Sequence, residues 1–350
     1  MNRRALLLGL LLMPASAHAG PRVNSAQKKK QATKKPPAAP PKKAVAPKAP
    51  PPPQPSEGRL QLVAFDASAF PYSGSLPDSS KPFFDARNGR ARGHTSLRGD
   101  VYWEQPTYSD RRSLLYLPPG YDTQRPSLLV LYLHGQGSML ERDVIARQAV
   151  PRQVADSGLN AALIAPQLAV DAADSSAGNF WKPGHFANFI DEAAERLKRL
   201  SGNREAGAHF NQAPVVIVAY SGGYLATAYA LDRGGAAHRI KGVILLDALY
   251  GEEDKFAAWA AARRRQAFLL SAYTDSTRDE NATLQGLLDK RRIPYSRGLP
   301  STLTPGTFAF TGCGSMDMHG DFVTRAWRPD PLKSALSMIP GYALRGKAGV

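Results

Sequence analysis

The chain has 350 residues and a formal net charge of +16, and this charge is unevenly spread. Residues 21–57 hold nine Lys or Arg and one Glu, and two more arginines precede them, which leaves only +6 for residues 58–350. Nucleic-acid-binding domains usually present a strongly basic face, so this modest excess argues against nucleic acid as a partner of the folded part. The length allows an export signal, a tail and one good-sized domain.

The first nineteen residues have the pattern of an export signal. Arg3 and Arg4 precede an apolar run from Ala5 to Met13, and Ala17-His18-Ala19 matches an A-x-A cleavage site. The alternative interpretation is an uncleaved transmembrane anchor, but the apolar run is too short to span a bilayer. We therefore expect cleavage after Ala19 and a periplasmic or secreted protein.

Residues 20–57 form a segment rich in Lys, Pro and Ala that holds almost no large apolar side chain. Such a composition cannot bury enough surface to fold, and its prolines favour an extended polyproline II conformation. The sequence therefore predicts a disordered linker. Two interpretations of it stay open, a solubilising spacer or a tether whose lysines bind an anionic envelope surface.

From residue 58 onward, apolar β-rich runs alternate with helical patterns. The predicted strands are 59–66, 111–118, 127–134, 161–168, 213–220, 240–247, 266–274 and 307–313. The predicted helices are 139–157, 186–201, 222–233, 252–265 and 278–292. Continuous apolar strands that alternate with helices predict an α/β fold with a mostly parallel central sheet of about eight strands and helices on both faces. Residues 67–110, irregular and rich in aromatic side chains, are expected to be ordered decoration.

The segment APVVIVAYSGGYLA, residues 213–226, places Ser221 between a predicted strand and a predicted helix. A serine on such a sharp turn stands clear of the sheet, near a helix N-terminus that favours developing negative charge. The usual pattern is G-x-S-x-G, and here Ala219 takes the place of the first glycine. The competing interpretation is a serine that caps a helix. The strand–turn–helix context favours Ser221 as a nucleophile.

A second glycine-rich turn, His134-Gly135-Gln136-Gly137-Ser138, follows the predicted strand LLVLYL. With this motif and LPPGYD at 117–122, residues 110–325 resemble the α/β-hydrolase family, in particular its secreted esterases and depolymerases. The resemblance implies a single α/β-hydrolase domain over residues 58–350. It also implies an oxyanion hole formed by the N–H of Gln136 or Gly137 and the N–H of Gly222. The competing interpretation is a plain glycine turn, and His134 itself is expected to brace the loop.

The serine needs a histidine that accepts its proton, and the family order is Ser, then acid, then His. His238 and His319 are the two histidines after Ser221. His238 precedes a strand and should lie at the wrong edge of the sheet, whereas His319 follows the last strand. His319 is therefore the candidate base, and the competing interpretation is a solvent-exposed loop residue.

Two aspartates are candidates for the acid that orients the histidine. Asp275 follows the seventh predicted strand, the commonest position in the family, and Asp247 follows the sixth, which some lipases use. Both should point toward the site, and Asp275 is favoured on its position. Asp317 and Asp321 are set aside because they lie too close in sequence to His319.

Other positions predict the shape of the substrate cleft less firmly. Trp181, in the segment 179–183 after the fourth predicted strand, either stacks on a substrate or packs in the core, and Tyr220 beside the serine is a second cleft candidate. Residues 248–265, where the family often inserts a lid, have room for one helix. We therefore expect an open cleft without a large lid domain, suited to small-molecule or polymer-attached substrates.

The resemblance implies a serine hydrolase, with a carboxylic ester hydrolase as the leading hypothesis. A serine peptidase or acyltransferase on the same fold is the second, because fold does not fix substrate. A catalytically inactive protein that binds envelope or carbohydrate is the third, suggested by Ala219 and the two candidate acids. No cofactor or metal is expected, because the sequence lacks a Cys/His cluster, a phosphate-binding loop after the first strand and a dinucleotide fingerprint.

Overall fold

The computed structural model describes residues 58–344. The predicted signal peptide (1–19) and linker (20–57) and the last six residues of the predicted domain lie outside the described residues. Within residues 58–344, no helix combines the length and the apolar character needed to cross a membrane.

Twelve strands occur within residues 58–344. They are Arg59–Ala64 (β1), Ala86–Asn88 (β2), Ala91–Thr95 (β3), Val101–Trp103 (β4), Arg112–Leu117 (β5), Leu128–Leu133 (β6), Ala161–Pro166 (β7), Val215–Tyr220 (β8), Ile240–Leu246 (β9), Phe268–Tyr273 (β10), Ser296–Arg297 (β11) and Phe308–Gly312 (β12). Nine of them form one sheet in the order β1-β5-β7-β6-β8-β9-β10-β12-β11. β5 runs antiparallel to β1 and β7, and the other neighbours are parallel. The predicted mostly parallel sheet is confirmed, and a two-residue edge strand, β11, extends it.

The α-helices of the same part of the chain are Glu104–Thr107 (α1), Val150–Asp156 (α2), His185–Ser201 (α3), Gly207–Gln212 (α4), Tyr224–Arg233 (α5), Glu253–Arg263 (α6), Arg278–Lys290 (α7) and Pro331–Ser337 (α8). A π-helical segment, Leu140–Arg147, precedes α2. Short 3₁₀ turns span Gly178–Trp181, Ser221–Gly223, Asp275–Thr277 and Met316–Asp321. The predicted helix at 139–157 is therefore divided in two.

Alternate residues of each central strand face opposite sides of the sheet, and each side is covered by helices. On β6, Leu129, Leu131 and Leu133 pack in one core with α3, α5, α6 and α7. Leu128, Val130 and Tyr132 pack in the other core, with the π-helical segment, α2 and α8. Burial on both faces explains why these strands are continuous apolar runs in the sequence.

Residues 67–110 are ordered, as expected, but less irregular than the sequence suggested. β2, β3 and β4 form a three-stranded antiparallel sheet of their own. Tyr102, on β4, and Tyr108, just after α1, are hydrogen-bonded to the loop that follows β7. The Tyr102 hydroxyl accepts a hydrogen bond from the Ala173 N–H (3.1 Å), and the Tyr108 hydroxyl donates to Asp174 Oδ2 (2.9 Å).

Candidate active site

Ser221 stands on a strained turn at the carboxyl edge of the sheet. It follows β8 directly, and its φ of +50° is in the left-handed region that non-glycine residues rarely occupy. A Cβ added to Gly135 would lie 2.8 Å from the Ser221 Cβ, so the loop after β6 approaches the turn too closely for a side chain there. Ala219 is fully buried on β8, paired between Leu133 and Leu245, where only a methyl group replaces the usual glycine hydrogen.

Three of the predicted side chains meet in one hydrogen-bonded line. The Ser221 Oγ lies 2.9 Å from the His319 Nε2, and the His319 Nδ1 lies 2.6 Å from the Asp247 Oδ2. Ser221 follows β8, Asp247 follows β9 and His319 lies in the turn after β12, so three parallel strands deliver them to the same edge.

Asp247 is fully buried and accepts hydrogen bonds at both carboxylate oxygens. Thr274 N–H (2.9 Å) and the Thr277 hydroxyl (2.8 Å) donate to Oδ1, whereas the hydroxyls of Thr274 (2.8 Å) and Ser276 (2.9 Å) donate to Oδ2. Burial by itself raises the pKa of Asp247, but the bonds from His319 and from this turn outweigh it and lower the pKa to about 2. The carboxylate is therefore ionised at any pH near neutrality.

The aspartate that is hydrogen-bonded to the His319 ring is Asp247 and not Asp275, which the sequence analysis favoured. Asp275 pairs with Arg278, and its side chain is 46% exposed. The reason is local: Asp275 begins the 3₁₀ turn Asp275–Thr277, and the neighbours Thr274, Ser276 and Thr277 are the ones that face Asp247. The seventh-strand position thus supplies hydroxyl donors to the sixth-strand carboxylate.

The two predicted oxyanion donors of the loop after β6, Gln136 and Gly137, differ in their hydrogen bonding. The Gly137 N–H donates to the Ala172 carbonyl (2.8 Å) and is not available to a substrate. The Gln136 N–H has no acceptor within residues 58–344, and it lies 3.3 Å from the point that a Cβ on Gly222 would occupy. Of the two alternatives in this loop, Gln136 therefore has the free N–H and lies close to Gly222, whereas the N–H of Gly137 is already bonded.

His134 braces the loop after β6, as the sequence suggested. Its Nδ1 lies 2.8 Å from the Gly135 carbonyl, so it is the protonated nitrogen, and its Nε2 accepts from the Leu168 N–H (2.9 Å). Burial lowers the pKa of His134 to about 4, which keeps the ring neutral and able to accept at Nε2.

Both predicted cleft residues are largely buried. Trp181 is 6% exposed and packs edge-on against Tyr72 and Phe83 in the core. Tyr220 is also buried, stacks on the His319 ring at 5.4 Å and donates its hydroxyl hydrogen to the His319 carbonyl (2.8 Å). Aromatic residues beside a glycine turn pack as readily in a core as in a cleft, and the sequence did not distinguish the two.

Sequence reasoning missed two parts of the frame around His319. The Tyr250 hydroxyl lies 3.3 Å from the His319 Nδ1 and 3.0 Å from the Ser276 Oγ. The other part is the hydroxyl turn at Thr274, Ser276 and Thr277, whose signal was visible as T-D-S-T directly after a strand. Within the described residues, no cluster of three or more His, Cys, Asp or Glu side chains has the arrangement of a metal site.

In α/β-hydrolases the nucleophile stands on a strained strand-to-helix turn at the top of a mostly parallel sheet, and the acid and the histidine follow it in chain order. The turn at Ser221 and the order Ser221, Asp247, His319 have this arrangement on this sheet. The chain has the α/β-hydrolase fold, which confirms the resemblance found in the sequence.

Comparisons with known proteins add little to that assignment. No family model and no curated protein matches the chain. Among solved structures it is similar to the feruloyl esterase module of Clostridium thermocellum, with 14% identity, 77% of this chain and 97% of that chain covered, and a TM-score of 0.39. It is also similar to a dienelactone hydrolase from Anabaena variabilis, with 13% identity, 81% and 99% covered, and a TM-score of 0.42. At these scores the likeness carries no argument about function, and the fold assignment rests on the sheet and the turn.

Proposed function

We propose that this protein is a serine hydrolase that cleaves carboxylic esters through an acyl-enzyme. The observation that carries the proposal is the hydrogen-bonded line from Ser221 through His319 to Asp247, with 2.9 Å and 2.6 Å between the bonded atoms. Nucleophile, base and orienting acid are within the reach that nucleophilic catalysis needs.

The mechanism assigns one task to each group. Ser221 Oγ attacks the acyl carbon while His319 Nε2 takes its proton, and Asp247 holds the proton on His319 Nδ1 and stabilises the imidazolium. The N–H groups of Gln136 and Gly222 bind the oxyanion of the tetrahedral intermediate. His319 then protonates the leaving alcohol, and water, activated by the same imidazole, releases the acid from Ser221.

The chemistry of the leaving group favours esters over amides, and the short connection after β9 favours an accessible cleft. An alkoxide leaves a tetrahedral intermediate more readily than an amide nitrogen does, so an ester makes the smaller demand on the same three residues. The connection from β9 to β10 contains α6 alone, which leaves room for bulky or polymer-attached acyl groups. A peptidase or acyltransferase on this fold would use the same residues, and the substrate panel below separates them.

The test combines an active-site probe with a substrate panel. We expect a fluorophosphonate to label the wild type and not Ser221→Ala, and p-nitrophenyl esters of varied acyl length to be hydrolysed only by the labelled protein. Peptide substrates and acyl-acceptor alcohols are run beside them. Absence of both labelling and ester hydrolysis in well-folded wild type would reject the proposal in favour of an inactive binding protein.

We also propose that the enzyme acts in the periplasm or outside the cell, with residues 20–57 as a spacer or as a tether to an anionic surface. The supporting observations are the charged, apolar and A-x-A segments before residue 20 and the nine basic residues of 21–57. N-terminal sequencing of exported protein should begin at Gly20. Sedimentation with anionic vesicles that requires residues 20–57 would support the tether, and no sedimentation the spacer.

A further inference from the structure

Ser175, in the loop after β7, lies next to Gly222 and Gln136, the residues whose N–H groups are proposed to bind the oxyanion. A Cβ built on Gly222 would be 2.6 Å from the Ser175 Oγ and 2.9 Å from the Gln136 Cγ, in addition to 3.3 Å from the Gln136 N. The Ser175 hydroxyl and the Gln136 amide therefore border the same small space beside Gly222. Neither sequence motif drew attention to this serine.

The hydrogen bonding of Ser175 leaves a donor unused. The Gln136 side-chain amide Nε2 donates to the Ser175 Oγ (2.9 Å). The hydroxyl thus accepts one bond, and its own hydrogen has no acceptor among the residues that the structure describes. Because an amide that donates to a hydroxyl oxygen polarises its O–H, this hydrogen is a better donor than that of an isolated serine.

The loop that carries Ser175 is fixed from three sides. The Ala172 carbonyl accepts from the Gly137 N–H (2.8 Å), and the Ala173 N–H donates to the Tyr102 hydroxyl (3.1 Å). Asp174 accepts from the Tyr108 hydroxyl (2.9 Å) and from the Ser176 hydroxyl (3.0 Å). A donor held in place by such contacts needs no reorganisation when charge develops, which is the condition for electrostatic catalysis.

We propose that Ser175 is a third oxyanion donor, whose hydroxyl hydrogen binds the negatively charged oxygen beside the N–H groups of Gln136 and Gly222. Gln136 then has two tasks, one for its backbone and one for its side chain, which orients the Ser175 hydroxyl. This inference rests on the proposed ester hydrolysis and adds a catalytic residue to it.

The first experiment compares Ser175→Ala, Ser175→Cys and Ser176→Ala on the p-nitrophenyl ester that the wild type hydrolyses best. Cysteine keeps the volume and replaces the hydroxyl by a weak donor. Ser176→Ala is the matched control, because it removes a hydroxyl that braces the same loop through Asp174. For both Ser175 variants we expect kcat to fall about 10²-fold with little change in KM, since the bond forms in the transition state. Ser176→Ala should keep kcat within a small factor of wild type.

The outcomes separate this inference from the function on which it rests. Wild-type kcat in both Ser175 variants, with Ser221→Ala inactive, would overturn the third donor and leave ester hydrolysis intact. Equal losses in Ser175→Ala and Ser176→Ala would also overturn it, because the hydroxyl would then act only by bracing the loop. If the wild type shows neither fluorophosphonate labelling nor esterase activity, both the proposed ester hydrolysis and the proposed role of Ser175 are rejected.

A double-mutant cycle tests the orienting role of Gln136. Gln136→Met keeps the backbone N–H and the length of the side chain but removes the donor to Ser175. The change should lower kcat in the wild-type background and have no further effect with Ser175→Ala. Independent, additive losses would overturn the orienting role of the side chain.

Discussion

Asp247→Asn is the substitution that examines the site most directly. In the structure Oδ1 accepts from the Thr274 backbone N–H, which is a donor only, so the carbonyl oxygen of an asparagine must occupy that position. The amide NH₂ then replaces Oδ2 and faces the His319 Nδ1, 2.6 Å away. An N–H group can only donate there, so the ring proton moves to Nε2.

The size of the expected loss in kcat follows from this change of tautomer. With the proton on Nε2, His319 cannot accept the proton of the Ser221 hydroxyl at 2.9 Å. In a Ser-His-Asp site this substitution lowers kcat by about 10⁴-fold, which corresponds to roughly 5 kcal/mol in the activation free energy. The pKa of Asp247 is lowered from 3.8 to about 2, so loss of the charge also costs about 2 kcal/mol of folding free energy near neutral pH.

The assay is p-nitrophenyl ester hydrolysis near neutral pH, well below the unfolding temperature of the variant. Asp275→Asn is the matched control, and we expect it to keep kcat near that of wild type because its partner is the exposed Arg278. A loss confined to Asp275→Asn, or equal activity in both variants, would refute the assignment of Asp247 as the orienting acid.

Three further perturbations test the frame around the site. Between pH 6.5 and 4 the unfolded chain protonates His134 while the native ring, with its pKa of about 4, stays neutral, so the free energy of unfolding should fall by about 3 kcal/mol as the pH is lowered. Denaturant titrations should detect this fall, and His134→Gln should reduce it, leaving the smaller part due to His185 and His209, whose pKa values burial also lowers; the same slope in that variant would contradict the assignment. Gly135→Ala should lower kcat about 10²-fold by displacing Ser221, since its Cβ would lie 2.8 Å from the serine Cβ, and wild-type kinetics would contradict the close approach. Tyr220→Phe removes the hydroxyl bonded to the His319 carbonyl but keeps the stacked ring, and kcat should fall about tenfold at unchanged KM; no change would show that the ring alone holds the turn.

Much of this protein is determined by signals that are local in the chain. Strands buried on both faces must be continuous apolar runs, so all eight predicted strands were found near their predicted bounds. Ser221 and His319 were identified from their places after strands. Ser221 directly follows β8 and His319 lies in the turn Met316–Asp321 after β12, and the carboxyl ends of parallel strands meet at one edge.

Tertiary structure decided which atoms meet at that edge. Asp247 and Asp275 follow the adjacent parallel strands β9 and β10, so both reach the same edge, and the preference for Asp275 by its position in the family disagrees with the structure. The choice depends on the direction of each side chain within its turn, and Asp247, with a φ of +46°, points to His319 while Asp275 reaches Arg278. Spacing could not reveal that the Gly137 N–H is engaged by Ala172, because that carbonyl lies in another loop. Ser175, between Gly222 and Gln136, was hidden for the same reason, since contacts between three separate loops leave no pattern within any one of them.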